Sequence, residues 1–242
     1  TGEEQLMENE CLVRARSHEQ KLRRRNDIID AAEALFLEGE GQLPSAAEVA
    51  KKANLAKGTL YLYFSSKEAL FLEVLRRFFK GWSENNLDMI EQEALRPPAE
   101  RDALRVARQF VDYLVKRSRF LHLASLSHGV LEQGADDESV LIHKRYVAAM
   151  VKRTADALSE IYAITAQQAR NLMANSFALV LGLWQMSQVP ARVVVLMRQN
   201  ALEDMIIDFS QSAETAVIEF WRAEITVMKQ SNVGQQDAPA VL

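Results

Sequence analysis

The chain has 242 residues, of which 48% are hydrophobic and 26% are charged, and its net charge is −4. This composition is typical of a folded globular protein and excludes a disordered one. Glycine and proline are scarce, at 9 and 5 residues, and the stretches 135–181 and 191–233 contain neither. Such stretches favour long helices over a many-stranded sheet with tight turns. We therefore expect an all-α fold.

The chain has a single cysteine, which excludes a disulfide within it, and a reducing cytoplasm is the expected location. The longest uncharged stretch, residues 171–191, is long enough to raise the question of a membrane span. It contains several asparagine, glutamine and serine side chains, which lipid could not satisfy. We interpret it as a helix buried in protein and expect no membrane partner.

The charge is unevenly distributed along the chain. Residues 14–80 hold 13 Lys and Arg against 9 Asp and Glu, a balance of +4, which leaves −8 for the rest. A basic first third indicates a module that binds a polyanion, although an uneven surface charge explains the balance equally well. Arg23, Arg24 and Arg25 could reach a DNA backbone or minor groove as basic arms do, or form a solvated charge run.

The first predicted helix covers residues 25–37, where apolar side chains recur at helical spacing. Ser45 and Glu48 then have the spacing of a capping box, which predicts a short helix over residues 46–53. Asn54 follows, and asparagine tolerates the left-handed backbone conformation that a tight turn between helices requires.

A second short helix is predicted over residues 57–64, and a longer one over residues 67–82. Two short helices joined by a tight turn form a helix-turn-helix, in which the first helix braces the second and the second lies in the major groove. Leu60 and Phe64 are four residues apart and can face the brace helix. Lys57, Thr59, Tyr61 and Tyr63 are then left to the other faces of this helix.

The run of residues 57–71, KGTLYLYFSSKEALF, preceded by EVAKKANL at 48–55, closely resembles the DNA-binding domain of TetR-type transcriptional regulators. The resemblance covers about residues 21–80. It implies a set of DNA-contacting positions in this chain: Ser45, Lys57, Gly58, Thr59, Tyr61, Leu62, Tyr63 and Lys67. Tyr63 and Lys67 are expected to hold phosphates. The plainer alternative for Tyr61 and Tyr63 is packing between helices.

The sequence departs from the family pattern at two places before the recognition helix. Ala56 stands where many members have a serine or threonine that caps this helix. The loop 41–44 is one residue shorter than the common pattern and lacks its aromatic residue. These departures affect the fine positioning of the recognition helix and leave the predicted class unchanged.

Pro97 and Pro98 break the chain after the third helix of this domain. We predict four regions: a flexible N-terminal segment (1–20), a helix-turn-helix DNA-binding domain (21–82), a ligand-binding and dimerisation domain (83–230) and a polar tail (231–242). Helices of the C-terminal domain are predicted over 99–116, 140–162, 165–188 and 200–228. Thr165 and Asn200 are the predicted N-terminal caps of the last two helices.

The predicted helix 165–188 is apolar nearly all round, so it should be buried on more than one side, and the predicted helix 200–228 has apolar residues at three- and four-residue steps. A two-fold bundle of these helices from two subunits would bury them, and the resemblance implies a homodimer built this way. The predicted interface residues are Phe177, Leu181, Gly182, Phe209, Ala213 and Phe220. A dimer also places two recognition helices about one turn of DNA apart, ~34–36 Å, over a pseudo-palindromic operator.

The resemblance further implies a small-molecule pocket enclosed by helices between residues 99 and 200, whose filling lowers the affinity for DNA. Candidate lining residues are polar or aromatic side chains among apolar neighbours, and each is also compatible with ordinary core or surface. They are Phe110, Tyr113, His122, His128, Tyr146, Met150, Asn175 and Trp184. An apolar or aromatic inducer would suit such a lining.

Two other classes of function compete with a ligand-released repressor. The chain has no Gly-rich phosphate loop, no Gly-x-Ser-x-Gly and no His-Glu-x-x-His motif, and His122, His128 and His143 lack the spacing of metal ligands. We therefore expect no catalytic site, metal or cofactor. A helical interaction module without DNA binding stays open, although it does not explain the pattern of residues 57–67. The expected partners are double-stranded DNA, a second copy of the chain and a small-molecule inducer.

Overall fold

The computed structural model describes the backbone of residues 2–39 and 41–236, and the side chains of residues 18–39 and 41–227. The chain is 82% helical, and no strand occurs in the described ranges. The all-α fold is therefore confirmed. The main helices are α1 (Gly2–Glu38), α2 (Ala46–Lys52), α3 (Lys57–Leu60), α4 (Lys67–Ala94), α5 (Ala103–Val115), α6 (Ser118–Ser125), α7 (Glu132–Gly134), α8 (Asp137–Tyr162), α9 (Ala166–Ser187), α10 (Ala191–Gln199) and α11 (Phe209–Gln236).

The chain divides into two compact units. The first contains Thr1–Leu75 and Leu126–His143, and the second contains Arg76–Ser125 and Lys144–Leu242. Helix α4 passes without a break through residue 82, where the sequence predicts a domain boundary, so the four predicted regions stay a prediction. The segment expected to be flexible before residue 21 belongs to α1, and residues 231–236 of the expected tail belong to α11. The rest of that tail, 237–242, lies outside the described residues.

The first unit has a core of aliphatic and aromatic side chains from the four N-terminal helices. Ile28 and Phe36 of α1, Val49 of α2 and Leu60 of α3 have no exposed surface. Phe36 also packs on Phe71 of α4, with ring centroids 6.1 Å apart. On each helix the apolar side chains recur at the spacing of one helix face. Burial of these faces brings α1, α2 and α3 together.

The local signals around the helix-turn-helix are confirmed. Ser45 and Glu48 form the predicted capping box at the start of α2. Asn54 has a φ of 56°, the left-handed conformation expected in the turn. The second helix is shorter than predicted, because α3 ends at Leu60. The backbone N–H groups of Tyr63 and Phe64 still donate to the Leu60 carbonyl, at 3.0 and 3.1 Å, and close a turn there.

The second unit is organised around a cluster of aromatic rings. Trp82 lies with its ring centroid 4.9 Å from Phe110 and 5.2 Å from Phe177. Phe79 lies 5.1 Å from Phe120 in an edge-to-face arrangement, a geometry that aromatic rings favour. Helices α5, α9 and α11 pack against each other in this unit, and the rings fill its interior.

The prediction of one long helix over residues 200–228 was wrong. Asn200 ends α10, with its side-chain Nδ2 donating to the Leu196 carbonyl at 2.7 Å, and Ala201 has a φ of 53° that stops the helix. Helix α11 begins at Phe209, where Asp208 Oδ1 accepts from the Gln211 backbone N–H. Asp208 therefore supplies the cap that was assigned to Asn200, whereas the capping box at Thr165 is confirmed.

None of the helices in the described ranges is by itself long and apolar enough to span a membrane. Helices α9 and α10 have the length and apolar composition of a membrane span only when they are taken together, and the chain bends by 73° at the break between them.

Candidate nucleic-acid interface

The recognition element consists of α3 and the turn that follows it, residues 57–64. Leu60 is fully buried and Phe64 is 4% exposed, whereas Tyr61 is 46% and Leu62 is 82% exposed. Lys57 is also exposed. The two buried side chains therefore fix one face of a short element. Its other face presents the Lys57 ammonium group, the Tyr61 phenol and the Leu62 side chain to solvent.

Ser45 begins α2 with both of its local hydrogen-bonding groups in use. Its Oγ accepts from the Glu48 backbone N–H at 3.2 Å, and its own N–H donates to Glu48 Oε2 at 2.7 Å. The Ser45 hydroxyl and backbone N–H lower the pKa of the exposed Glu48 carboxyl. The resemblance implies a phosphate contact at Ser45, and a phosphate bound there would lie close to the negatively charged Glu48 carboxylate.

Gly58 is not required by the fold. A Cβ placed on it would meet no atom within 4 Å, and its φ lies outside the left-handed region that favours glycine. Glycine also weakens a helix relative to alanine. Glycine also allows another backbone, such as that of DNA, to approach closely, and these observations are compatible with that role for Gly58.

Tyr63 and Lys67 flank the end of the recognition element. Tyr63 is half-buried and lines a shallow groove with α1. Lys67 lies at the start of α4, with its Nζ 3.8 Å from Glu68 Oε1. The sequence pattern paired Tyr63 with Lys67, and the structure places the ammonium group of Lys67 near the carboxylate of the next residue, Glu68.

The three consecutive arginines of α1 have different surroundings. Arg25 pairs with Glu73 of α4, and its guanidinium carbon lies 4.9 Å from the centre of the Phe64 ring. Arg23 and Arg24 are exposed and pair with Glu19 and Asp27, two acids of α1. Arg25 therefore supports the recognition element from within the protein, which the sequence alone did not distinguish from DNA contact.

The end of the recognition element is also tied to the chain segment that opens α8. The Ser65 hydroxyl donates to Asp136, which also accepts from the Ser139 backbone N–H at 2.9 Å and from its hydroxyl at 2.7 Å. These bonds, with that of Ser65 the largest cause, lower the pKa of Asp136 to about 2. Sequence reasoning missed this contact; the spacing of Asp136 and Ser139 signals a helix cap, but no local pattern indicates Ser65.

Replacing Asp136 by asparagine is expected to destabilise the first unit in a pH-dependent way. The folded-state pKa of about 2 lies below the ordinary value of 3.8, so the stabilisation is complete above pH ~5 and is lost progressively as the pH falls towards 2. In urea denaturation, wild type and Asp136→Asn should differ by a constant amount above pH 5, and the difference should narrow below pH 4. Asp137→Asn, at the exposed neighbouring carboxylate, is the matched control; a pH-independent difference at Asp136 would contradict the assignment.

Two family models match this chain, one in its N-terminal part and one in its C-terminal part. A model described as "Bacterial regulatory proteins, tetR family" matches residues 28–74, the part that holds the helix-turn-helix. A second model, "Tetracyclin repressor-like, C-terminal domain", matches residues 77–222. The chain belongs to the TetR family. It is a DNA-binding transcriptional regulator, and an interaction module without DNA binding is not favoured.

The relatives of this TetR-family chain include regulators from two bacteria. It is 29% identical over 137 residues to the HTH-type transcriptional repressor KstR2 of Rhodococcus jostii (strain RHA1), a match that covers 48% of this chain and 67% of that protein. It is 33% identical over 87 residues to the uncharacterized HTH-type transcriptional regulator YerO of Bacillus subtilis (strain 168), covering 36% of this chain and 30% of that protein.

Two solved structures show the extent of the structural similarity. A tetR-family transcriptional regulator from Streptomyces coelicolor is 17% identical, with a TM-score of 0.45, and the match covers 90% of this chain and 92% of that one. The fatty acid degradation regulator FadR from Bacillus halodurans is 18% identical, with a TM-score of 0.46 and coverage of 74% and 94%.

The predicted pocket residues of this TetR-family chain differ widely in burial. Phe110, Met150 and Trp184 are buried in the second unit, where His122 packs edge-to-face on Trp184 at 5.6 Å. Tyr113 and Tyr146 are partly exposed, and Asn175 is exposed. The His128 side chain is 82% exposed and belongs to the first unit. A ligand-binding role for these eight residues stays a prediction, but His128 and Asn175 face solvent because their helix positions point away from the core.

A cleft of about 350 Å³ opens elsewhere in the second unit, between α5, α8, α9 and α11. Half of its twelve lining residues are aliphatic, three are charged (Arg101, Asp102 and Arg222), and Tyr162, Trp221 and Thr226 complete the lining. The Tyr162 hydroxyl is buried and has no hydrogen-bond partner within the described ranges. Burial raises the pKa of this hydroxyl above its ordinary value, so it stays a neutral donor at physiological pH. Sequence reasoning missed Tyr162, because only the fold places it beside α11.

The predicted dimer residues separate into two groups. Ala213 has no exposed surface within the subunit, whereas Phe177 packs on Trp82 and is still partly exposed, so the assignment of the six residues to the interface stays a prediction. Leu181, Gly182, Phe209 and Phe220 are partly exposed. Periodicity alone does not tell the inner face of α9 from its outer face, because that helix is apolar nearly all round.

Proposed function

We propose that the chain is a repressor that binds a pseudo-palindromic operator as a homodimer in the cytoplasm and is released by a small molecule. The observation that carries the DNA-binding part is the recognition element, anchored by buried Leu60 and Phe64 with Lys57, Tyr61 and Leu62 exposed. An anchored element of this kind enters the major groove with its exposed side chains towards base edges. The name of KstR2, a repressor, supports the direction of regulation.

The dimer is supported by an apolar stripe on α9 that the subunit leaves uncovered. Ala178 is exposed, Leu179 is 36% exposed and Met186 is 65% exposed. Gly182 lies between them, and a Cβ placed on it would meet no atom within 4 Å. These positions recur at three- and four-residue steps and so share one face of the helix. A continuous apolar face of this kind is typical of a protein interface, and the small residues would permit close approach of a partner helix.

The stripe continues on α11, where Phe220 is partly exposed, Ala223 is exposed and Val227 is 58% exposed. Two helices from each of two subunits would then form a four-helix bundle related by a two-fold axis. The operator is expected to be pseudo-palindromic because the protein dimer has the same symmetry.

The ligand is proposed to bind in the cleft of the second unit. Its volume of about 350 Å³ falls at the lower end of the range for small-molecule sites. The aliphatic half of the lining suits an apolar part of a ligand, and the unpartnered Tyr162 hydroxyl suits one hydrogen-bond acceptor on it. Release follows if the ligand binds more tightly to the form with low DNA affinity, and DNA must then weaken ligand binding by the same factor.

The proposed function is tested by selecting bound sequences from a random DNA duplex pool with the purified full chain at moderate salt. Enrichment of a palindrome supports the repressor proposal and fixes the half-site spacing. That operator then allows small molecules to be screened for release of the protein. No enrichment, with the protein shown to be folded and dimeric, would overturn the operator proposal.

Gly58→Ala is expected to act in opposite directions on stability and on operator binding. The added methyl group meets no protein atom, and alanine favours a helix over glycine by about 0.5–1 kcal/mol, so the free energy of unfolding should rise or stay unchanged. Operator affinity should fall by about tenfold, because the methyl group keeps the DNA backbone from close approach. Thermal denaturation and fluorescence anisotropy measure the two effects; unchanged affinity would remove Gly58 from the DNA-contacting set.

A further inference from the structure

A groove on the first unit joins the middle of α1 to the recognition element. It encloses about 540 Å³ and is lined by Gln20, Lys21, Arg23, Arg24, Asp27 and Tyr63. The α1 positions 20, 23, 24 and 27 recur at the spacing of one helix face. Tyr63 closes the other side of the groove, so a stripe of α1 outside the helix-turn-helix faces the same concavity as a residue of the recognition element.

Helix α1 therefore has two basic faces with different roles. Arg25 points to Phe64 and Glu73, where it supports the protein interior. Lys21, Arg23 and Arg24 lie on the groove side. This division follows from the helical turn of about 100° per residue, which sends neighbouring arginines in different directions. The cations on the groove side are the more exposed ones, with the Arg23 and Arg24 side chains 74% and 47% exposed against 34% for Arg25.

The acids near the groove are weak competitors for its cations. Arg23 pairs with Glu19 at 2.5 Å, with the two side chains 74% and 61% exposed. Arg24 lies 3.7 Å from Asp27, with exposures of 47% and 55%. Exposed pairs of this kind contribute little to stability. A phosphate can displace them, because guanidinium groups bind its oxygens by two parallel, charge-assisted hydrogen bonds.

The chemistry of the groove matches a nucleic-acid backbone. Three cations stand beside two neutral hydrogen-bonding groups, the Gln20 amide and the Tyr63 hydroxyl, and side chains of these types make most phosphate contacts in protein–DNA complexes. The groove is also continuous with the recognition element through Tyr63. When α3 lies in the major groove, the DNA backbone that borders this groove would therefore pass the concavity.

We propose that this α1 groove binds the sugar–phosphate backbone of the operator beside the phosphate held at Tyr63, and so extends the contact with DNA beyond the helix-turn-helix. The inference rests on the proposed operator binding. It assigns to Lys21 and Arg24 a sequence-independent share of the affinity, because backbone contacts carry no base readout.

The test compares the salt dependence of operator binding for the wild type and for Lys21→Ala/Arg24→Ala in the full chain. Both positions are helical and exposed, and alanine preserves the helix. The slope of log affinity against log salt concentration should become less steep by about 0.9 for each phosphate that the variant no longer neutralises. The affinity should fall by the same factor for the operator and for unrelated DNA.

The matched control removes two lysines from the second unit, Lys116→Ala/Lys152→Ala, which changes the net charge by the same amount. These lysines pair with Asp112 and Asp156, at 2.7 and 2.6 Å, and are 66% and 70% exposed. Their removal should leave the salt slope unchanged. A slope that changes equally in both variants would show a general charge effect and overturn the groove assignment.

A gain of affinity provides a second readout that damage to the fold cannot produce. Glu19→Gln/Asp27→Asn removes the competing carboxylates, and the operator affinity should rise roughly two- to fivefold at low salt. An unchanged slope for Lys21→Ala/Arg24→Ala together with no gain for the acid variant would overturn the inference while wild-type operator binding stands. If the wild type itself binds no operator, it is the proposed function that fails.

Discussion

Met186→Glu is expected to convert the dimer into monomers and to weaken operator binding by about 100- to 10,000-fold. Met186 is 65% exposed in the subunit, so the charge has little effect on the subunit fold. In the dimer the carboxylate would be buried in an apolar interface without a partner, which is strongly unfavourable. A monomer holds one half-site at a time and loses the advantage of linked binding. Sedimentation velocity and anisotropy titrations measure the two effects.

Leu95→Glu is the matched control for this substitution, because Leu95 is 82% exposed and lies off the α9 stripe. It introduces the same charge and should leave both the dimer and operator affinity unchanged. Phe220→Glu should also give monomers, but Phe220 is half-buried, so this variant is expected to fold poorly as well. A Met186→Glu protein that remains dimeric would place the subunit contact on another surface.

Leu60→Ala is expected to lower the free energy of unfolding of the first unit by about 2–5 kcal/mol, the usual cost of removing a fully buried leucine side chain. Leu60 has no exposed surface, and α3 has four residues, too few to be stable without tertiary packing. Hydrogen exchange should show loss of protection over residues 57–64, with operator affinity falling in parallel.

Leu62→Ala is the control for this experiment, two positions away and with the same change in side chain. Leu62 is 82% exposed, so its removal should alter the free energy of unfolding by less than about 0.5 kcal/mol. Its effect should appear in operator binding alone. Equal destabilisation by the two substitutions would contradict the orientation of α3 that Leu60 and Leu62 define.

The family and the helix-turn-helix could be predicted because their signals are local. A capping box at Ser45, a left-handed asparagine at position 54 and the spacing of Leu60 and Phe64 each involve residues within one turn of helix, where backbone chemistry decides the conformation. The same logic failed at Asn200. Its sequence allows a cap, but Asp208 allows one too, and the break at Ala201 decides between them.

The second unit was less predictable for a different reason. Helix α9 is apolar nearly all round, so its sequence shows that it is buried but not which side meets the subunit core. Of the residues assigned to the dimer interface, Ala213 has no exposed surface in the subunit, whereas Phe177 packs on Trp82 and is partly exposed. The cleft at Tyr162 was missed because it depends on where four separate helices meet.

The sequence by itself determined the helical class, the family and the face of α3 that is exposed, since each follows from periodicity and short-range capping. Only the tertiary structure decided the roles of groups that meet across long separations. Arg25 pairs with Glu73, Ser65 bonds Asp136, and Lys21 and Arg24 share a groove with Tyr63. The physical reason is that side-chain charge and hydrogen-bonding capacity are local properties, whereas the partner that uses them is chosen by how helices distant in sequence pack together.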